Sequence, residues 1–214
     1  MPDAPVRLPR GRHNLSREEV AESQRERLLE ATVEVVGSEG YAATTVSKIL
    51  RLAGVSRETF YENFANKTDA LNAAHRSESD ALRDQILDAQ RALPADAAPL
   101  ERIDSAVGCY LDRLSAHRQR ARALLVEILA AGPDSVELAV GARRRFVEMA
   151  VAILGFDTPE LRFSCEAYLA AVNGTAMQCA LTGRADEIGA LREPLSGLAR
   201  SILIGVDRLG GPSA

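Results

Sequence analysis

The chain of 214 residues is 46% hydrophobic, has few aromatic residues (4%) and no tryptophan, and carries a net charge of −4. That size and apolar content support one large domain or two modest ones, and the abundance of Ala, Leu, Arg and Glu favours helices over sheets. No stretch approaches the ~20 uncharged apolar residues of a membrane span, and the basic start "MPDAPVRLPRGRHNL" lacks the apolar core of a signal peptide, so the expected location is the cytoplasm, with no membrane partner.

The first helix has two candidate starts. Ser16–Glu19 and Ser23–Glu26 both place a glutamate three residues after a serine, the pattern of a capping box. Leu28, Leu29, Val33, Val35 and Val36 then form an apolar stripe, and "GSEGY" ends it, with Gly40 suited to a left-handed cap. Thr44 or Thr45 caps a second, short helix whose Val46, Ile49, Leu50 and Ala53 share one face. Gly54 breaks that helix, Ser56 caps a third anchored by Phe60 and Phe64, and Asn66 caps a fourth that runs from Lys67 to about Leu93. After "PADAAP" (94–99), helices are expected near 100–117, 119–131, 134–154, 158–182 and 190–206, separated by "AGPDS", "GFDTPE" and "LTGRADEIG". No alternating apolar run of strand length occurs. The expected fold class is all-α.

Two short helices joined by a glycine-containing turn, with a third packed across them, make a helix-turn-helix, here at about 45–64. Its second helix protrudes, and its outer face fits a DNA major groove. Arg57 can pair bidentately with guanine, Thr59 can touch a thymine methyl, and Glu58 can accept from cytosine. Tyr61 and the hydroxyls of Thr44, Thr45 and Ser56 suit phosphate oxygens, and Lys67 opens a helix whose N-terminus already favours an anion. Charge is distributed accordingly, though weakly. Residues 1–76 carry 11 Lys+Arg against 11 Asp+Glu, while 77–214 carry 15 against 19.

The segment "LLEATVEVVGSEGYAATTVSKILRLAGVSRETFYENFANKTDAL" resembles the N-terminal domain of the TetR family of bacterial transcriptional regulators. The resemblance rests on Gly40–Tyr41, Thr44–Thr45, Ile49, Ala53–Gly54–Val55–Ser56, Thr59–Phe60–Tyr61, Phe64 and Lys67, and covers about residues 24–75. It implies a long helix joining a DNA-binding domain (24–84) to a larger helical effector-binding and dimerisation domain (85–214), preceded by a basic arm (1–23). It further implies a homodimer reading a palindromic operator through residues matching Thr45, Ser56, Arg57, Thr59, Tyr61 and Lys67. Leu50 and Leu52 depart from the usual alanine and polar residue of the family, which bears on second-helix packing. Arg7, Arg10 and Arg12 either reach a minor groove or belong to a disordered, inert arm.

In the second half, Leu191, Leu195, Leu198 and Ile202 repeat at the spacing of a helix-packing seam, and Leu161, Cys165, Leu169 and Val172 make a similar stripe. By resemblance these stripes pair two copies of the chain; the alternative is a core stripe within one. Tyr110, Phe146, Met149, Phe163, Tyr168, Asn173 and Met177 are the candidate lining of an effector pocket, with Asn173 the polar member of an apolar helix. The expected effector is a small, largely apolar molecule. Cys109, Cys165 and Cys179 lack metal-ligand spacing, and Cys165 and Cys179 lie roughly 21 Å apart on one helix, too far for a disulfide. No HExxH, GxSxG, GxGxxG or P-loop pattern occurs. Thus no catalytic residue, metal or cofactor is expected, and a repressor released by its effector is favoured. An activator, a regulator answering a protein partner and, remotely, a helical enzyme are the alternatives.

Overall fold

The computed structural model describes residues 16–155 and 157–208. Those residues form nine α-helices and two 3-10 segments, with no strand among them. The helices are α1 (Arg17–Glu39), α2 (Val46–Ala53), α3 (Arg57–Asn63), α4 (Lys67–Ala92), α5 (Pro99–Ser115), α6 (Arg118–Leu125), α7 (Pro133–Leu154), α8 (Pro159–Leu181) and α9 (Arg192–Arg208).

Caps explain most of the boundaries. Ser16 accepts from the Glu19 N–H while the Glu19 carboxylate accepts from the Ser16 N–H, so the earlier of the two capping boxes starts α1. Residues 17–23, expected in the arm, are therefore helical; neither glycine nor proline interrupts them. Thr45 caps α2, Ser56 caps α3 and Asn66 caps α4, each accepting a backbone N–H three residues on. Gly54 closes α2 in the left-handed region (φ +65°), a conformation that costs a residue with a Cβ.

Two connections differ from expectation. The helix expected over 119–131 ends at Leu125 and tightens into a 3-10 segment, Glu127–Ala131. That change buries Ile128 and brings Glu127 to the Tyr41 N–H, 2.8 Å away. Residues Ala185–Leu191, expected mainly as loop, form a second 3-10 segment that drives Ala185 and Ile188 into the core.

Four packed clusters hold the helices. Leu28, Ile49, Ala53, Phe60, Phe64 and Ala70 unite α1–α4 at the N-terminal end. Val33, Val36, Leu71, Leu124 and Ile128 join α1 and α4 to α6 and the first 3-10 segment. Gly37 permits that junction: a Cβ there would stand 2.1 Å from the backbone oxygen of Gln119. Val107, Leu111, Tyr168, Val172, Ile188 and Leu195 form the largest cluster, between α5, α6, α8 and α9, and Val147, Val151, Leu161 and Cys165 pack α7 on α8.

These clusters consume the stripes expected to pair two copies. Leu161, Cys165, Val172 and Leu195 are buried within the chain, and Leu169, Leu191 and Ile202 pack against the same clusters. Of the eight, Leu198 alone faces outward, 39% exposed. The reason lies in α8, which is apolar on two faces, so its periodicity does not say which one turns inward. The large stripe residues fill the core, leaving Phe163 (74% exposed) and Leu181 (60%) outside. All three cysteines are free.

Candidate nucleic-acid interface and ligand cavity

At the N-terminal end, Phe60 is wholly buried, and Phe64 packs against it with ring centroids 5.6 Å apart. This anchor turns the opposite side of α3 outward. Ser56, Arg57, Glu58 and Tyr61 are exposed, and Thr59 is half-buried. The Ser56 hydroxyl accepts from the Thr59 N–H at 3.0 Å and lies 2.9 Å from the Thr59 hydroxyl, tying the first turn together. The Arg57 guanidinium donates to the Ser47 hydroxyl at 3.1 Å, which holds a long side chain across the α2–α3 angle. Tyr61 stands edge-on to Phe60 with its ring half exposed. Thr45, also exposed, sits at the start of α2. One face thus gathers a planar cation, hydroxyls and a phenol, the side chains that read base edges and grip phosphates.

One expected contact, Thr44, is corrected, and a second, Lys67, is narrowed. Thr44 is buried, and its hydroxyl donates to the Gly40 carbonyl at 2.8 Å, so it braces the turn and offers nothing to a phosphate. Lys67 is half-buried over the Tyr41 ring and donates to the carbonyls of Tyr41 and Thr44, both at 2.8 Å. Two of its three N–H groups are spent locally; one is left for a phosphate. Arg7, Arg10 and Arg12 lie outside the described residues. Sequence reasoning missed Ser47, whose position three residues after Thr44 carries no signal of its pairing with Arg57.

Behind this unit lies a cavity of about 390 Å³ bounded by α4 to α9, within the range of roughly 300–1,000 Å³ usual for small-molecule sites. Of the expected lining, Tyr110, Phe146, Met149, Tyr168, Asn173 and Met177 do line it. Phe163 does not; it points out of α8 toward solvent. The Tyr110 phenol donates to the Asn173 side-chain oxygen at 3.0 Å, and burial keeps that phenol protonated far above its ordinary range. The Asn173 side chain is thereby placed within one chain.

One part of the wall is charged, which the sequence reading did not anticipate. Glu78 on α4 accepts from Arg113 on α5 at 2.8 Å and from Arg120 on α6 at 3.2 Å, and His75 lies one turn earlier on α4. Burial, with Arg145 and Arg76 adding to it, depresses the His75 pKa to about 4, so the ring is neutral near pH 7. These residues stand 35 and 42 positions apart in sequence, and no local pattern announces them. Among the described residues no cluster of His, Cys, Asp and Glu has the arrangement to hold a metal ion, and no helix is long and apolar enough to cross a membrane.

Similar proteins agree with this geometry. Residues 28–74 match the pattern of bacterial regulatory proteins of the tetR family. The HTH-type transcriptional regulator BetI of Escherichia coli O45:K1 is 28% identical over 166 residues, covering 76% of this chain and 85% of that protein. BetI of Rhizobium meliloti is 38% identical over 84 residues, which span 39% and 40% of the two chains. Among solved structures, the fatty acid degradation regulator FadR of Bacillus halodurans superposes with a TM-score of 0.74 at 19% identity, covering 82% of this chain and 93% of that one. FadR of Bacillus subtilis in complex with stearoyl-CoA gives 0.70 at 18% identity, covering 81% and 96%. The fold, the helix-turn-helix and the sequence match converge: residues 28–74 carry the DNA-binding domain of the tetR family of bacterial regulatory proteins, and over most of its length the chain is similar to transcriptional regulators of that fold.

Proposed function

We propose that the protein is a homodimeric repressor, released from a palindromic operator when a small, largely apolar molecule fills the cavity. Residues 24–84 serve as the DNA-binding domain and 85–214 as the effector and dimerisation domain. The observation that carries this reading is the cavity itself, whose wall includes the same α4 that begins at Lys67 beside the recognition helix α3. The FadR neighbour bound to stearoyl-CoA supports an apolar, chain-like effector.

Two helices connect cavity to DNA face. His75, Glu78, Leu82 and Ile86 line the cavity from α4, and Arg120 and Leu124 line it from α6. The next residue before Arg120 on α6, Gln119, has its carbonyl against Gly37 of α1. A ligand that moves either helix displaces the platform on which Ser56–Tyr61 stand. It shifts the equilibrium only through its preference for that displaced state.

For the dimer we infer the outward face of α8 and α9. Phe163, Leu181, Leu198 and Ile204 are exposed there, and Ala167, Ala170 and Gly174 along α8 allow close helix approach. The test of the whole reading is selection of binding duplexes from a random pool, followed by titration of effector candidates with and without the selected duplex. An enriched palindrome, and a ligand that operator weakens by the factor by which the ligand weakens operator, is the expected result. Failure to enrich any duplex, or ligands indifferent to operator, removes the corresponding half of the proposal.

A further inference from the structure

The charged part of the cavity wall holds more positive than negative charge. The ionised side chains lining the cavity are Glu78, Arg113, Arg120 and Arg143, and Arg143 is exposed. Within the wall both guanidiniums bond the same oxygen, Oε2, of the single carboxylate Glu78. One carboxylate therefore answers two cations that are only about a fifth to a quarter exposed. A buried charge left short of a partner is costly, so the arrangement favours a second anion.

Two orphaned atoms mark where it goes. Arg120 Nε and His75 Nδ1 are buried and find no hydrogen-bond partner among the described residues. A guanidinium N–H is only a donor, so Arg120 calls for an acceptor. The neighbouring His75 is neutral and adds no positive charge, but its ring nitrogen supplies one more hydrogen-bonding position. Apart from the Tyr110–Asn173 pair and two serines, the rest of the wall is apolar, with Leu82, Ile86, Ile103, Val107, Phe146 and Met149.

We propose that the cavity binds a medium-chain alkyl carboxylate, its head held by Arg120 and Arg113 beside His75 and its chain laid along the apolar wall. This rests on the effector reading above and specifies its chemistry. A carboxylate supplies acceptors for a planar N–H pair and balances the second guanidinium. An alcohol of equal length satisfies the orphaned donor and leaves the excess charge. An alkyl ammonium adds to that excess.

The experiment is calorimetric titration of the full-length protein with decanoate, 1-decanol, decyltrimethylammonium and decanoyl-CoA. Decanoate is expected to bind about ten- to a hundredfold tighter than decanol, the range of charge-assisted hydrogen bonds, and the ammonium most weakly. Arg120→Gln should remove that advantage, so that decanoate binds no tighter than decanol to the variant, whereas Arg120→Lys, which keeps the charge, should retain part of it. The head-group series on the unaltered protein stands even if a variant folds poorly, and melting temperatures identify such a variant. Equal affinity for decanoate and decanol, or tighter binding of the thioester, overturns the proposal while leaving an apolar effector in place. Binding of none of the four removes the cavity as a ligand site. If decanoate binds as expected and operator affinity does not respond, the carboxylate site stands and the effector reading falls.

Discussion

At the scale of single residues, Arg57 carries the clearest expectation. Its guanidinium is exposed yet steadied by Ser47, so less side-chain freedom is lost when it meets a base. Arg57→Ala should weaken the selected duplex by about 1–3 kcal/mol and relax preference at one base pair per half-site, measured by titration against single-base variants. Uniform weakening over all variants instead assigns Arg57 to the phosphate backbone. His75 makes a second test, through pH. Its folded pKa of about 4 lies below the ordinary 6.5, so the unfolded chain takes up the proton first. The stability contributed by the neutral ring is complete above pH 6.5 and is lost as pH falls toward 4, by about 3 kcal/mol over that window. Denaturant unfolding of His75→Leu should show a shallower acid slope than the unaltered protein; an equal slope would mean that the acid sensitivity resides elsewhere.

At the scale of elements, the contact between α1 and α6 is the one most sensitive to size. A Cβ at position 37 meets the backbone carbonyl of Gln119, not a flexible side-chain end, so the helices themselves must separate. Gly37→Ala, despite its gain in helix propensity, should lower stability by about 1–3 kcal/mol, read from denaturant midpoints. A neutral or stabilising result would show that α6 yields freely, and that the junction is not a rigid link. This junction also explains what the sequence disclosed and what it did not. Ser16, Thr45, Ser56 and Asn66 are caps that act within four residues, so the starts of α1 to α4 were readable from local chemistry, except that two boxes competed for α1 and two threonines for α2. The outward set on α3 followed from Phe60 and Phe64 pointing the other way. Gly37 against Gln119, Tyr41 against Glu127 and Glu78 between two arginines join residues tens of positions apart, and nothing in a single sequence pairs them. Thr44 and Thr45 are adjacent hydroxyls whose opposite fates depend on one turn: Thr44 folds back to Gly40 while Thr45 caps α2.

For the whole molecule, the outcome turns on which face of α8 and α9 is left over after folding. The stripe Leu161–Cys165–Leu169–Val172 has heptad-like spacing but is spent on the core, so a charge placed there tests folding and not association. Phe163, 74% exposed, is the discriminating position, because its side chain leaves the core intact when changed. A single chain of 23.0 kDa that associates through this face should scatter light as a particle of about twice that mass. Phe163→Glu should then return the mass toward that of one chain, with the monomer's own fold retained, since an unpaired charge is costly only once the face is covered. On the proposed palindromic operator, loss of the dimer should also weaken binding steeply, because that reading has two recognition helices meeting half-sites about 34–36 Å apart, of which a lone α3 reaches only one. If Phe163→Glu remains dimeric while Leu161→Glu unfolds the chain, the interface lies off α8. If the unaltered protein is itself a monomer at micromolar concentration and still binds its duplex, two-fold operator symmetry is not required.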